Sequence, residues 1–470
     1  MDDLAFASAV ELGALMREGQ ISPVEVTEAS LRRIEADGGA LGAFVEVDGD
    51  RALAEARTIE PDDRRVFAGV PIAIKANTMA SGWTMDYGSA RLAGHRADHD
   101  AHLVRRLREE GFVIVGVTNM PEFGILPTSE PLHRAPSRNP WDTARTPGGS
   151  SGGAAAAVAA GLLPIAHGND GGGSLRIPAA CCGLVGLKPS RGRVSRGPDA
   201  GDSMLVCDGV LSRTVLDTAA ALDALSGYEV GDATWAPPPE RPFSAIFNRD
   251  PGHLRIGVVT ENPLAPVLDP QNAAAVVAAG ELLTELGHHV EAAAPALPGP
   301  DAIPLFTTVF AANIALSAAH ASVLGGGAGP VEPLSQAMID RAAATDAVGL
   351  LGATAILQAI SRQVVALFAG YDVLLVPTLA ERPVEIGAIT GDDPAAFERA
   401  IAFAPWAGLF NVTGQPAISL PAGVGTDGLP LAIQLVGRPL GEDTLLQVAT
   451  QIEAARPWAL GPEHLTDPQG

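Results

Sequence analysis

The stretch Asp170-Gly-Gly-Gly-Ser-Leu-Arg176 follows two others in the chain, Gly69-Val-Pro-Ile-Ala-Ile-Lys75 and Gly148-Gly-Ser-Ser-Gly-Gly153. Each is weak evidence alone, because glycine- and serine-rich segments are usually loops and a lysine after an apolar run usually ends a strand. Ser150 follows Lys75 by 75 residues, and Ser174 follows Ser150 by 24. The three stretches are informative together, through the order of Lys75, Ser150 and Ser174 and through the two spacings between them.

Strand and helix signals alternate around these stretches. Ser22-Pro-Val-Glu25 is a capping box with proline at the first helical position, and apolar runs such as Gly69–Lys75 predict short buried strands. Further strands are predicted at 112–117, 254–259, 372–376 and 431–436, and further helices at 100–110 and 442–454. We therefore expect an α/β fold in which helices cover both faces of a mixed, mostly buried β-sheet. No linker or repeat is visible, so one large domain over residues 1–470 is expected, although residues 290–400 carry no readable motif.

Composition indicates an ordinary soluble enzyme. Hydrophobic residues make up 47% of the 470 residues and charged residues 18%, which is typical of a globular protein. The net charge of −23 argues against nucleic-acid and anionic-membrane partners, since both need a basic face. The N-terminus lacks a basic region followed by an apolar one, and the apolar stretch 154–166 is too short to span a bilayer. We expect a cytoplasmic protein with no membrane partner.

Cysteine usage points away from disulfides and metals. Cys181, Cys182 and Cys207 are too few for a disulfide framework, and no histidine or cysteine cluster has zinc-ligand spacing. The sequence therefore predicts neither a metal nor another cofactor.

Ser174 is the candidate nucleophile. The three glycines before it allow backbone N–H groups to turn towards one point, as an oxyanion hole requires, although an isolated motif of this kind is more often a tight turn. Ser150 precedes an alanine-rich helical segment, where a serine can simply be a helix N-cap. Lys75 would act as a base only if burial lowered its pKa by several units from about 10.4; otherwise it is a solvated strand end.

Lys75, Ser150 and Ser174, in this order and spacing, resemble the amidase signature family. Its landmarks continue over most of the chain, for example at Asn119-Met-Pro-Glu122, Gly186-Leu-Lys-Pro189 and Asn411-Val-Thr-Gly-Gln-Pro416. The resemblance implies the amidase signature fold, with a signature core at about residues 65–215. Two positions depart from the family pattern: Ala76 stands where many members have aspartate, and Gly171 where threonine or isoleucine is common.

The resemblance also implies roles for the candidate residues. Ser174 would be the nucleophile that forms the acyl-ester. Ser150, which would follow a cis peptide bond, would pass the proton of Ser174 to Lys75, the base. The oxyanion hole would consist of the N–H groups of Gly171, Gly172, Gly173 and Ser174. Ser151 would support Lys75, and Asp170 and Arg176 would hold the loop around the nucleophile.

The activity implied by the resemblance is hydrolysis of a small carboxamide, in the first instance a linear one, by an enzyme that could form a homodimer. Arg96-Ala-Asp-His-Asp100 and His167-Gly-Asn-Asp170 resemble members that open the cyclic dimer of 6-aminohexanoate, and this is the alternative substrate. A third alternative is the amidase component of a tRNA-dependent amidotransferase. Gly148-Gly-Ser-Ser-Gly152 also matches the GxSxG motif of α/β-hydrolases, but the proline-containing segment before it cannot be the strand which that motif needs.

Overall fold

The computed structural model describes residues 4–264, 267–294, 297–325 and 329–466. Its strands form two sheets. In chain order the strands are β1 (Phe44–Val47), β2 (Pro71–Lys75), β3 (Val113–Thr118), β4 (Ile165–Asp170), β5 (Val185–Lys188), β6 (Cys207–Ser212), β7 (Arg255–Val258), β8 (His289–Ala292), β9 (Val373–Pro377), β10 (Ala417–Val424) and β11 (Pro430–Gly437).

The larger sheet is mixed and has eight strands in the order β4-β6-β5-β10-β11-β9-β7-β8. The pairs from β4 to β9 are antiparallel, and β9, β7 and β8 are parallel to one another. The smaller sheet has three strands in the order β1-β3-β2, with β2 parallel to β3. Strands β5, β6 and β9 are buried along their whole length, as the central strands of a covered sheet must be. Strand β4 lies at the edge of this sheet and is equally buried, because β2 of the smaller sheet packs against it.

Helices flank the sheets, and the α/β class expected from the sequence is confirmed. In chain order the helices are α1 (Ala9–Arg17), α2 (Pro23–Arg33), α3 (Gly39–Leu41), α4 (Gly49–Ala56), α5 (His102–Glu109), α6 (Gly152–Ala159), α7 (Arg176–Cys182), α8 (Val215–Leu225), α9 (Pro270–Glu285), α10 (Ile303–Gly325), α11 (Pro333–Ala343), α12 (Ala347–Ala366), α13 (Ala396–Phe403), α14 (Ala407–Thr413), α15 (Glu442–Ala455) and α16 (Glu463–Thr466).

The local signals agree with the structure to within a few residues. Ser22 caps α2, because its Oγ accepts a hydrogen bond from the Glu25 N–H at 3.2 Å while the Glu25 carboxylate accepts from the Ser22 N–H at 2.8 Å. The sequence did not indicate α1, which lies before this helix. One cluster of buried side chains includes Leu12 and Leu446, from near the two ends of the chain.

Two helices in the segment without readable motifs are unusually apolar. By length and composition alone, 300–324 and 347–369 could each cross a membrane, which the sequence analysis did not anticipate. They pack against each other, with Ala353 and Leu357 of α12 buried in the same cluster as Val309 of α10. Other side chains of these helices are exposed, such as Leu316 and Val348.

The two sheets meet where the candidate residues lie. Strand β2 ends at Lys75 and packs against β4, which ends at Asp170. Helix α6 follows the Gly148–Gly153 stretch and packs on both β2 and β4. Three chain segments that are distant in sequence are therefore brought to one place by sheet packing.

Candidate active site

Lys75 is a fully buried charged candidate. It ends an apolar strand whose Ile72 and Ile74 are fully buried, and its own exposure is 0%. Its Nζ lies 2.7 Å from Ser150 Oγ, 2.9 Å from Ser151 Oγ and 2.7 Å from the side-chain oxygen of Asn169. The amine is therefore surrounded by neutral oxygen atoms rather than by a carboxylate.

This environment favours the neutral amine. Burial lowers the pKa of Lys75 to about 7, because a charged ammonium group loses its hydration there. The carboxylates of Asp208 and Asp170 act in the opposite direction and raise the pKa, but to a smaller extent. A lysine whose pKa lies near neutrality has the property required of a general base.

Ser150 is not a helix cap. Helix α6 begins at Gly152, its N-cap position is Ser151, and that side chain makes no capping hydrogen bond. The helix-cap interpretation of Ser150 is therefore wrong. The peptide bond between Gly149 and Ser150 is cis, and the Ser150 side chain is buried with its Oγ on Lys75.

Ser174 lies in the loop between β4 and α7. Together with Ser150, Gly171 and Gly172 it lines a cavity of about 280 Å³. Gly172 faces open space in this cavity, since a Cβ added there would approach only Phe306 and Phe310, at 3.9 Å. The loop thus presents a hydroxyl group and glycine backbone to the same volume.

Gly173 differs from the expectation for the oxyanion hole. Its N–H donates a 2.7 Å hydrogen bond to the Asp170 carboxylate, so this donor is already engaged inside the loop. Its φ of +128° is a backbone conformation that residues with a side chain rarely adopt. A Cβ added at this position would lie 2.6 Å from Ile177 and 2.7 Å from Ala407. Glycine is needed here for loop shape, and the candidate hole reduces to the N–H groups of Gly171, Gly172 and Ser174.

Asp170 and Arg176 form a bidentate ion pair with no exposed surface. Arg176 Nε and Nη2 donate to the two carboxylate oxygens at 2.9 and 2.8 Å. Arg176 also donates to Gln434 and Asn411, each at 2.7 Å, and Asn411 donates to Asp170. Burial acts to raise the pKa of Asp170, but its ion pair with Arg176 and these hydrogen bonds hold it below the usual range.

The sequence analysis did not single out four residues of the site: Asn77, His167, Asn169 and Asp208. Asn169 accepts from Lys75 and donates to Asn77 at 3.0 Å. The His167 Nδ1 accepts a 3.3 Å hydrogen bond from the backbone N–H of Lys75, and its Nε2 lies 3.5 Å from Asp208. Asn169 and His167 lie next to the DGGGS motif, in His167-Gly-Asn-Asp170, which was the one available signal.

Part of the cavity wall comes from the segment without readable motifs, 290–400. Five cavity-lining residues of α10 recur at helical spacing along one face: Phe306, Phe310, Asn313, Ser317 and His320. The aromatic end of this stripe packs on Phe397 of α13, with ring centroids 6.3 and 5.0 Å apart. One face of α10 therefore changes from aromatic to polar along the cavity.

Among the residues that the structure describes, no group of three or more His, Cys, Asp or Glu side chains is arranged to hold a metal ion. The three cysteines are buried and free. Burial raises the pKa of the Cys181 thiol to about 12, which makes it a poor nucleophile at neutral pH.

A family model described as Amidase matches residues 25–446 of this chain. The chain belongs to the amidase signature family. It is 39% identical to the 6-aminohexanoate-cyclic-dimer hydrolase of Paenarthrobacter ureafaciens, over 97% of this chain and 96% of that one. A solved structure of a 6-aminohexanoate cyclic dimer hydrolase superposes with a TM-score of 0.93 at 38% identity, covering 98% of this chain and 99% of the other.

A bacterial aryl acylamidase of the amidase signature family is a more distant relative. Its crystal structure superposes with a TM-score of 0.87 at 28% identity, over 98% of this chain and 98% of that one. Family membership makes this chain a hydrolase of carbon–nitrogen bonds.

We predict that Asp170→Asn lowers the free energy of unfolding by about 3–5 kcal/mol, because it leaves the Arg176 guanidinium buried without its counter-charge. Urea denaturation at pH 7 measures the change. Glu291→Gln is the control, since it breaks the exposed Arg255–Glu291 pair and should leave the free energy of unfolding nearly unchanged. Equal losses in the two variants would contradict the role assigned to the buried pair.

Proposed function

We propose that this chain hydrolyses an amide bond of a cyclic oligoamide, in the class of the 6-aminohexanoate cyclic dimer, through an acyl-enzyme on Ser174. The observation that carries the proposal is the hydrogen bond between the buried Lys75 amine and Ser150, which lines the same cavity as Ser174. The 39% identity to a cyclic-dimer hydrolase favours a cyclic substrate over the small linear carboxamide that the sequence analysis placed first.

The proposed chemistry begins with proton transfer. Ser174 Oγ attacks the amide carbon while its proton passes to Ser150 Oγ, and the Ser150 proton passes to the neutral amine of Lys75. The N–H groups of Gly171, Gly172 and Ser174 stabilise the negative oxygen of the tetrahedral intermediate. The Lys75 ammonium then returns a proton through Ser150 to the leaving nitrogen as the carbon–nitrogen bond breaks.

Water completes the reaction by attacking the Ser174 ester, with the same relay taking its proton. For a cyclic amide the leaving amine remains attached to the acyl group, because the bond that breaks belongs to a ring. The acyl-enzyme then carries every atom of the substrate. A linear amide instead loses its amine at this step, so the mass of the intermediate distinguishes the two substrate types.

The cavity wall supports a substrate with extended methylene chains. Phe306, Phe310 and Phe397 provide a contiguous aromatic surface beside Gly172. Asn313 and Ser317 offer polar groups further along α10, about 5 and 10 Å beyond Phe310 by the rise of a helix. A substrate with a second amide group has hydrogen-bonding partners there.

We predict that the purified chain opens cyclic oligoamides without ATP, glutamine or tRNA, with a higher kcat/KM than for linear aliphatic amides, aryl amides or esters. Rapid quench followed by intact-mass measurement should show an adduct equal to the whole cyclic substrate. Ser174→Ala should fold normally and give neither the adduct nor labelling by a serine-directed phosphonate. Continued labelling of Ser174→Ala would assign the nucleophile elsewhere, and turnover of linear amides alone would contradict the cyclic substrate.

The pH dependence provides a second test. We predict that kcat/KM rises with pH through an apparent pKa of about 7, because only the neutral form of Lys75 accepts a proton. Asp208→Asn removes a carboxylate that raises this pKa, so the rise should move to lower pH. Lys75→Ala should lose most of its activity, and its kcat/KM should no longer rise with pH. An unchanged pH profile in Lys75→Ala would assign the base to another group, for example His320, which also lines the cavity.

The relay predicts a separation between activity and stability. Ser150→Ala should lower kcat by about 10²–10⁴-fold with little change in Tm, since Ser150 does not cap α6. Ser22→Ala, which removes a real cap, should cost about 1 kcal/mol of stability and leave kcat unchanged. The Lys75→Ala/Ser150→Ala double variant should be little worse than either single one. Multiplicative losses would mean that the two residues do not share a proton path.

A further inference from the structure

Asn169 completes the set of atoms around the Lys75 amine. Its Oδ1 lies 2.7 Å from Nζ, as close as Ser150 Oγ, and Asn169 is 8% exposed. An amide oxygen can only accept hydrogen bonds. One hydrogen of Lys75 is therefore committed to Asn169 in either protonation state.

Ser151 takes a second hydrogen of Lys75. Its hydroxyl donates its own hydrogen to the backbone carbonyl of Asn169 at 3.3 Å, so its oxygen accepts from Nζ at 2.9 Å. A neutral amine has two hydrogens and one lone pair. With both hydrogens held by Asn169 and Ser151, the lone pair is directed at the remaining neighbour, Ser150 Oγ.

The orientation of the Asn169 amide is itself held. Its Nδ2 donates to Asn77 Oδ1 at 3.0 Å, which directs the oxygen, and not the nitrogen, towards Lys75. Asn77 follows Lys75 by two residues and lines the same cavity. An amide turned the other way would place a donor against the donors of Nζ.

We propose that Asn169 is a positioning residue, which keeps the lone pair of neutral Lys75 on Ser150 and supplies an acceptor that carries no charge. The proposal rests on the proposed amide hydrolysis. An aspartate at this position would accept the same hydrogen bond, but its charge would favour the ammonium form. Asparagine therefore gives the geometry of a carboxylate without its electrostatic effect.

Other charged groups act on the same amine. Asp208 of β6 and Asp170 of β4 both raise the pKa of Lys75, and each has a cationic neighbour: Arg196 Nε lies 3.5 Å from Asp208, and Arg176 is paired with Asp170. His167 Nδ1 accepts from the Lys75 backbone N–H. A charge introduced at position 169 would lie at hydrogen-bond distance from Nζ, and so we expect its effect to be the larger one.

The test compares Asn169→Asp and Asn169→Leu by the rate of Ser174 labelling with a fluorophosphonate as a function of pH. This readout requires no knowledge of the amide substrate. Asn169→Asp should move the rise in rate to higher pH by about 1–3 units, with the full rate recovered above it. Asn169→Leu should lose about 10²-fold at every pH, because the lone pair is no longer held on Ser150.

Asn272→Asp is the matched control. It introduces a carboxylate at another buried asparagine, which does not line the cavity and whose side-chain oxygen already accepts from Arg382, and the pH of the rise should remain that of the wild type. An unmoved rise in Asn169→Asp, or a wild-type rate in Asn169→Leu, would overturn the proposal.

If neither Asn169 variant folds, Asn77→Leu decides the question, since it leaves every Lys75 side-chain contact in place and releases the Asn169 amide, besides a longer 3.4 Å contact from Thr78. We expect about a tenfold loss of labelling rate at unchanged Tm, and a wild-type rate overturns the proposal. A chain that is labelled with this pH dependence and opens no amide would contradict the proposed function while leaving the role of Asn169 intact.

Discussion

Asp170 and Arg176 form an ion pair from which water is excluded, and four separate parts of the chain meet at it. Asp170 ends β4, Arg176 begins α7, Asn411 comes from α14 and Gln434 from β11. A buried charge that is not fully bonded is costly, so these partners must all be in place together. The same carboxylate accepts from Gly173 and Leu175, and the loop that carries Ser174 takes its shape from that requirement.

Asp170 and Lys75 are both buried, but the site affects their pKa values in opposite ways. Asp170 has a guanidinium, an amide and backbone N–H groups as partners, and its pKa is held below the usual range although burial acts to raise it. Lys75 has only neutral oxygens in contact, and burial lowers its pKa to about 7. The difference lies in the partners and not in the depth, since both groups are fully buried. One group thus remains a fixed charge, while the other can exchange a proton.

The parts of this arrangement that depend on local sequence could be predicted. An apolar strand ending in Lys75, the capping box at Ser22 and the glycine-rich loop before Ser174 are each encoded within a few residues. The cap interpretation of Ser150 was wrong because both adjacent serines satisfy the cap preference, and the helix itself begins at Gly152. The engagement of the Gly173 N–H depends on where the Asp170 side chain turns, which spacing does not reveal.

The remaining parts depend on contacts between distant segments. Asn169 meets Lys75 across 94 residues, and His167 meets it across 92, through the packing of β4 on β2. The helices of the cavity wall gave no signal because alanine and glycine dominate 300–360, and the pattern of buried and exposed positions is weak in such a sequence. That their aromatic residues line the cavity becomes evident only from the structure, in which Phe306 lies beside Gly172.

The candidate catalytic residues lie in one stretch of the chain, and the residues of the α10 face of the cavity lie in another. Lys75, Ser150 and Ser174 lie within about the first two fifths of the sequence, whereas the α10 stripe begins at Phe306. Helix α10 carries no charged side chain and uses one face for the cavity. Substitutions on that one face would therefore alter which molecules the cavity accommodates without touching the proposed proton path, so that new specificities can arise through changes in a single helix.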